Sequence, residues 1–152
     1  DQSWWPDMMS KLVKRAEQMF GEFNLYQMSL VARTIAGTVD GYINDKEPFR
    51  LAKRMDEAGV QDELATVLYN CAEAIRISSL LFFPALPSKM AELWRNWNCS
   101  PLNDPDDPNS GFVAPLAELA RWGGDYSLKP GQKIEKGAAL FMRASAEEHP
   151  GT

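Results

Sequence analysis

The sequence contains very little of what nucleophilic catalysis and metal binding require. Its 152 residues include one histidine, His149, and two cysteines, Cys71 and Cys99. A Ser–His or Cys–His pair needs a histidine beside the nucleophile, and the lone histidine stands in a tail with Pro and Gly. Metal sites draw on clustered Cys, His and carboxylates, and no such cluster is visible in the sequence. We therefore predict no catalytic and no metal-binding residues in this chain, with Cys71 as a buried thiol.

Long hydrophobic runs and glycine-rich phosphate loops are missing as well. The apolar run 80–86 contains Pro84 and is far shorter than the roughly 20 residues that a membrane span needs. The first residues have no basic segment followed by an apolar one, so we expect no signal peptide. The chain begins with Asp1 rather than Met, and we expect a fragment. The prediction is a cytoplasmic protein without a membrane partner.

Basic residues are fewer than acidic ones. Sixteen Lys and Arg stand against 21 Asp and Glu, which gives a formal net charge of −5. Phosphate contacts require clustered cations, so this balance by itself argues against a nucleic-acid binder. Since a net charge averages over all faces, the local distribution has to decide.

Apolar residues recur at spacings of three and four along most of the chain, which is typical of amphipathic helices. Pro48 suits a first helical turn, Gly59 a helix end, and Pro84 ends a long helix. The predicted helices span residues 6–20, 25–43, 48–58, 61–83 and 88–97, with a short one at 113–121.

These elements predict an all-α fold: an antiparallel bundle of about five main helices with a short C-terminal extended arm or hairpin. We divide the chain into a bundle (1–97), a Pro/Asp-rich loop (98–111), a short helix and arm that pack on the bundle (112–143) and a tail (144–152). All four parts form one domain. In the arm, residues 129–132 read Lys-Pro-Gly-Gln, a sequence typical of a type II turn.

A cationic segment surrounds an aromatic residue at residues 45–54. If a helix begins at Pro48, successive side chains turn by about 100° and one arc carries an aromatic ring among cations. A ring can stack on an unpaired base, while cations hold the neighbouring phosphates. The candidate nucleic-acid-binding residues are Phe49, Arg50, Lys53, Lys46 and Arg54. The residues expected to face the bundle are Leu51, Ala52 and Met55. The alternative is a core phenylalanine beside solvated charges.

Three segments, in order, resemble the anticodon-binding domain of methionyl-tRNA synthetases. Residues 42–53 (YINDKEPFRLAK) are similar to that family's Tyr-(Ile/Val)-Asp, Pro-Trp and Ala-Lys stretch. Residues 80–87 (LLFFPALP) are similar to its Leu-x-Pro-Phe-Met-Pro segment. Residues 122–143, with Trp-Gly, Leu-Lys-Pro-Gly-Gln-Lys-Ile-Glu-Lys-Gly and Leu-Phe-Met-Arg, are similar to the sequence that closes the domain.

The resemblance implies a helical bundle beside a Rossmann-type catalytic domain that attaches methionine to its tRNA with ATP. The family's tryptophan after proline stacks on an anticodon base, and Phe49 stands at that position. The signatures His-Ile-Gly-His and Lys-Met-Ser-Lys-Ser are absent. The resemblance therefore implies no cofactor in this chain, with ATP and methionine bound only by a catalytic domain in cis. It also implies that this chain is not catalytic by itself, whereas its parent is a methionine–tRNA ligase.

The leading hypothesis is a tRNA anticodon-binding domain whose partners are the anticodon stem-loop and that catalytic domain. One alternative is a synthetase-derived helical module that binds proteins and no tRNA. Another is the equivalent domain of a related class I synthetase.

Overall fold

The fold is described by a computed structural model over residues 4–100 and 114–141. In this part of the chain the regular elements are all helical. They are α1 (Trp4–Gly21), α2 (Leu25–Lys46), α3 (Pro48–Leu51), a 3₁₀ turn (Ala52–Arg54), α4 (Val60–Phe82), α5 (Pro87–Asn96) and α6 (Leu116–Leu119). The all-α bundle prediction is confirmed. Most of the predicted loop 98–111, the start of the predicted helix at 113, the end of the arm and the tail with His149 lie outside the described residues.

Local sequence signals account for where the long helices begin. The Asn24 side chain accepts a hydrogen bond from the Gln27 N–H at 3.1 Å and caps α2, as asparagine commonly does. Gly59 precedes α4 with φ of 81°, a backbone conformation that glycine adopts without strain. Pro87 occupies the first turn of α5, where its missing N–H costs nothing.

Helix α4 is the centre of the bundle, and α2 packs antiparallel along it. Ser78 Oγ donates to the Ala32 carbonyl at 2.9 Å near one end of the pair. At the other end, the Asn70 amide lies 3.4 Å from the Tyr42 hydroxyl. The numbering rises along α4 as it falls along α2, which defines the antiparallel arrangement. Six consecutive residues of α4, 76–81, are buried, so neighbours surround this half of the helix.

The C-terminal region lies against the bundle through side-chain and backbone contacts. Trp122 stacks on Trp5 of α1 with ring centroids 5.6 Å apart. Further along, the Gln132 amide donates to the Trp97 carbonyl at 2.7 Å. The predicted turn at 129–132 is present, since the Gln132 N–H donates to the Lys129 carbonyl at 3.0 Å and Gly131 has φ of 76°. Described residues 122–141 contain no strand, so the arm is irregular rather than a hairpin.

Two shorter helices differ from their predicted lengths. The predicted helix 48–58 is α-helical only to Leu51, continues as the 3₁₀ turn and then leaves helical geometry. None of its residues is fully buried, and most of the stability of a helix in a protein comes from burying an apolar face against its neighbours. Of the residues expected to face the bundle, Leu51 is half-buried and packs against the core, so the prediction is confirmed for this residue. Ala52 and Met55 are exposed, so it is wrong for these two. The last helix has four residues, Leu116–Leu119, rather than nine.

The buried face of α4 includes Leu64, Val67 and Cys71, and the predicted burial of the Cys71 thiol is confirmed. Leu68, one residue after Val67, is exposed. Glu73 and Arg76, which no apolar pattern predicts, are fully buried. These two charged residues join α4 to the C-terminal region.

Candidate nucleic-acid interface

One residue both ends α2 and begins α3. Glu47 has a left-handed backbone with φ of 45°, and its N–H donates to the Ile43 carbonyl at 2.9 Å to close α2. Its own carbonyl accepts from the Arg50 N–H at 2.7 Å and so starts α3. The chain therefore turns sharply at Glu47, and Pro48 occupies the first position of the new helix.

The turn places Phe49 on the surface of the protein. Its side chain is 56% exposed, although a phenylalanine beside a helical bundle is more often found in the core. The alternative of a buried core phenylalanine is therefore wrong. An exposed ring of this size presents a flat apolar face to any partner that approaches this end of the bundle.

Four cations lie within a few residues of the ring. Lys46, at the end of α2, is half-buried, while Arg50, Lys53 and Arg54 are exposed. All four lie where α2 ends and α3 and the 3₁₀ turn begin. The structure thus brings together an exposed ring and cations at the end of α2.

Two of these cations are already paired with carboxylates. Arg50 Nη1 lies 3.0 Å from Glu47 Oε2. Arg54 donates from Nε and Nη2 to the two carboxylate oxygens of Glu57, at 2.8 and 2.6 Å. In the described part of the chain, Lys46 and Lys53 have no ion-pair partner. The four cations are therefore unequal in the charge that they present to solvent.

The ion pair between Arg54 and Glu57 shifts the pKa of both side chains. The hydrogen bond from Arg54 lowers the pKa of Glu57 below its ordinary value, and the same contact raises the pKa of Arg54. Both groups therefore stay charged near neutral pH. Opposite charges three residues apart could have indicated the pair.

A second exposed aromatic cluster lies at the far end of α2. Phe20 is 54% exposed, Phe23 is 93% exposed with φ of 55°, and Tyr26 is also exposed. The 22 residues of α2 span about 33 Å at the usual rise per residue, so this cluster and Phe49 stand at opposite ends. Sequence reasoning did not predict this exposed cluster, because apolar spacing carries no signal for the left-handed backbone at Phe23.

Within residues 4–100 and 114–141, no helix is long and apolar enough to cross a membrane. Over the same ranges, no group of His, Cys, Asp and Glu is arranged to hold a metal ion.

Comparison with known proteins identifies the relatives of this chain. It is 33% identical over 147 residues to a methionine–tRNA ligase of Streptomyces coelicolor, a match that covers 95% of this chain and 25% of that protein. The methionine–tRNA ligase of Clostridium tetani is 31% identical over 117 residues, covering 75% of this chain and 15% of the ligase. That of Thermotoga maritima is 30% identical over 110 residues, with 72% and 15% covered.

The chain belongs to the methionine–tRNA ligase family, of which it matches one segment. It spans a quarter or less of the length of these curated relatives. No protein-family model matches the chain. No solved structure matches it either.

Proposed function

We propose that this chain is the anticodon-binding domain of a methionine–tRNA ligase and that it positions tRNA for aminoacylation by a catalytic domain. One observation carries the proposal. In a chain homologous to these ligases, an exposed aromatic ring stands among cations at a sharp helix junction. The resemblance of residues 42–53 to the family's base-stacking segment points to the same place.

In this proposal Phe49 is the stacking platform for an unpaired anticodon base. Stacking of a base on an aromatic side chain is worth about 1–3 kcal/mol. Arg50 and Lys53 contact the RNA backbone beside it, with Lys46 and Arg54 at the edges of the site. Phenylalanine keeps the π-face of the family's tryptophan, but it is smaller and has no N–H donor. The chain therefore stacks the base without the extra hydrogen bond.

The net negative charge of the chain restricts RNA to this local cationic patch. The formal net charge is −5, so phosphates are repelled from most of the surface. Like charges across an interface suppress wrong orientations. RNA then approaches the end of the bundle that carries Lys46 and Lys53, which form no ion pair with any other described residue.

The ligase reaction itself belongs to a catalytic domain in cis. The present chain has neither of the two catalytic signatures, and we expect ATP and methionine to bind to that domain. The role of this chain is to select and orient the tRNA.

The direct test is a titration of the chain with the anticodon stem-loop of a methionine tRNA. Phe49→Ala should weaken binding by about 5- to 150-fold, since about 1–3 kcal/mol of stacking is lost. Phe49→Trp should bind at least as tightly as the wild type. The matched control is Phe20→Ala, because Phe20 is equally exposed at 54% but lies at the opposite end of α2. Equal affinities for wild type and Phe49→Ala would remove Phe49 from the site.

The second candidate function, a protein-interaction module, is favoured by the other aromatic cluster. Phe20, Phe23 and Tyr26 expose large apolar area at the α1–α2 turn, and such patches on soluble proteins often mark interaction sites. The acidic residues there, Glu17 and Glu22, do not suit RNA. A chain that fails to bind any stem-loop but self-associates or binds a protein through Phe23 would support this candidate instead.

A further inference from the structure

The pair formed by Arg54 and Glu57 is the most completely satisfied ion pair in the described part of the cationic segment. The guanidinium donates from two nitrogens to two carboxylate oxygens, at 2.8 and 2.6 Å. The backbone adds a third bond between the same residues, from the Glu57 N–H to the Arg54 carbonyl at 3.0 Å. Arg50 and Glu47 also share a backbone hydrogen bond, from the Arg50 N–H to the Glu47 carbonyl at 2.7 Å, but their side chains have a single contact, at 3.0 Å.

The geometry of this pair matches the geometry of phosphate recognition. The planar guanidinium presents parallel N–H donors that fit either a carboxylate or a phosphate in the same two-pronged manner. Glu57 occupies Nε and Nη2, which together form one such donor edge. A phosphate that takes this edge has to displace the carboxylate, because two anions cannot share it.

The two lysines of the segment are held differently. In the described residues, neither Lys46 nor Lys53 has an ion-pair partner. Neither lysine has to break an ion pair with another described residue before it contacts a phosphate. Arg54 is therefore the cation whose contribution depends most on a competing internal anion.

We propose that Glu57 acts as an internal phosphate mimic that occupies Arg54 in the free protein and gives way to an RNA phosphate on binding. This inference rests on the proposed tRNA-binding function and adds a regulatory contact to its site. The competition lowers the affinity for RNA in general. It also makes the contribution of Arg54 depend on whether a phosphate reaches its donor edge, which favours RNA that is correctly seated on Phe49.

The displacement is feasible because the pair is exposed. The Arg54 and Glu57 side chains are 57% and 54% exposed, and exposed ion pairs contribute little free energy to a folded protein. The carboxylate can be rehydrated when it moves away. A gain of about two- to fivefold in RNA affinity is therefore expected when the competitor is removed.

The test is a titration of the full chain with the same stem-loop, comparing Glu57→Gln with a matched control. The control is Glu92→Gln, because Glu92 also pairs three residues away, with Lys89 at 3.1 Å. Both substitutions change the net charge by one unit. Glu92 lies on α5, beyond the end of α4 that is distant from Arg54. Glu57→Gln should tighten binding about two- to fivefold, and Glu92→Gln should leave it within error of the wild type.

A double-substitution cycle separates competition for Arg54 from the general effect of removing one negative charge. In the Arg54→Gln background, Glu57→Gln should give no more gain than Glu92→Gln, because no guanidinium remains to be released. The same gain with and without Arg54 would overturn the proposal, as would equal effects of Glu57→Gln and Glu92→Gln. Weaker binding by Glu57→Gln would overturn it too, since the carboxylate would then position Arg54 rather than compete for it.

The outcomes also separate this inference from the proposed function. If Phe49→Ala abolishes binding while Glu57→Gln has no effect, tRNA binding stands and the competition is wrong. If neither the wild type nor Glu57→Gln binds the stem-loop, both proposals fail.

Discussion

Arg76 donates two hydrogen bonds to Glu73, one helical turn earlier on α4, at 2.9 and 2.7 Å, and both side chains are fully buried. Each of the two side chains also forms a hydrogen bond with the backbone of the C-terminal region. Arg76 Nη1 donates to the Leu119 carbonyl at 2.7 Å, and Glu73 accepts from the Leu128 N–H at 3.0 Å. The pair therefore ties residues that follow the Pro/Asp-rich loop to the central helix of the bundle.

Breaking this buried pair should destabilise the protein strongly. Removal of one partner leaves an uncompensated buried charge, which typically costs about 3–5 kcal/mol. We expect losses of this size for Arg76→Gln and Glu73→Gln in urea denaturation. The control is Asp7→Asn, whose pair with Lys11 at 2.7 Å is exposed and should contribute less than about 1 kcal/mol. A loss below 1 kcal/mol for Arg76→Gln would mean that the pair does not hold the arm.

Three glycines predict stability changes of opposite sign. Gly37 and Gly41 lie inside α2 with open space where a Cβ would be, whereas Gly59 has φ of +81°. Alanine should stabilise the chain at Gly37 and Gly41 by about 0.5–1 kcal/mol each, because glycine loses more backbone entropy in a helix. Gly59→Ala should destabilise the chain by about 1 kcal/mol or more, because a residue with a Cβ is strained in the left-handed backbone conformation of this position. Thermal unfolding of the three variants checks these signs, and a stabilising Gly59→Ala would contradict the left-handed turn.

The buried thiol of Cys99 predicts a loss of stability in alkaline solution. Burial raises the pKa of Cys99 from its usual value of 9.0 to about 12. A pKa raised by folding contributes stability that is complete below the unfolded value and disappears as pH rises through the folded value. The wild type should therefore lose stability more steeply than Cys99→Ala as pH rises from about 9 towards 12. Parallel pH profiles from urea unfolding would show that the thiol is accessible to water.

Salt dependence provides a separate test of the cationic segment. Each phosphate contact on a single strand contributes about 0.7 to the slope of log affinity against log salt concentration. Lys53→Gln should reduce the slope by about this amount and weaken binding to all stem-loops alike. Lys136→Gln is the control, because Lys136 is exposed in the C-terminal arm. Equal slopes for Lys53→Gln and the wild type would exclude a phosphate contact by Lys53.

Sequence reasoning worked where the determinant was local. Gly59 and Pro84 marked helix boundaries because glycine and proline restrict or permit backbone conformations by themselves. The helix after Pro48 was predicted too long, because its persistence depended on burial that the tertiary structure does not provide. No periodic pattern indicates the burial of Glu73 and Arg76, because their partners are distant in sequence. Leu119 lies 43 residues from Arg76, and Leu128 lies 55 residues from Glu73.

The candidate site shows the same division. Pro48 and the neighbouring charges were compatible with an exposed ring or with a core phenylalanine, and only the structure shows that Phe49 is exposed. The ion pairs of Arg50 with Glu47 and of Arg54 with Glu57 were not predicted. Their geometry depends on the left-handed backbone of Glu47 and on the turn after the 3₁₀ segment. Whether these residues contact RNA stays a prediction.

The proposed contact between Phe49 and an anticodon base can be observed by nuclear magnetic resonance of the chain during titration with the anticodon stem-loop. If an anticodon base stacks on Phe49, the ring signals of Phe49 should shift upfield, and the backbone signals of Lys46 and Lys53 should shift with them. The rings of Phe20 and Tyr26, at the other end of α2, should not change. Saturable binding that shifts the ring signals of Phe20 and Tyr26 but leaves those of Phe49 unchanged would contradict base stacking on Phe49.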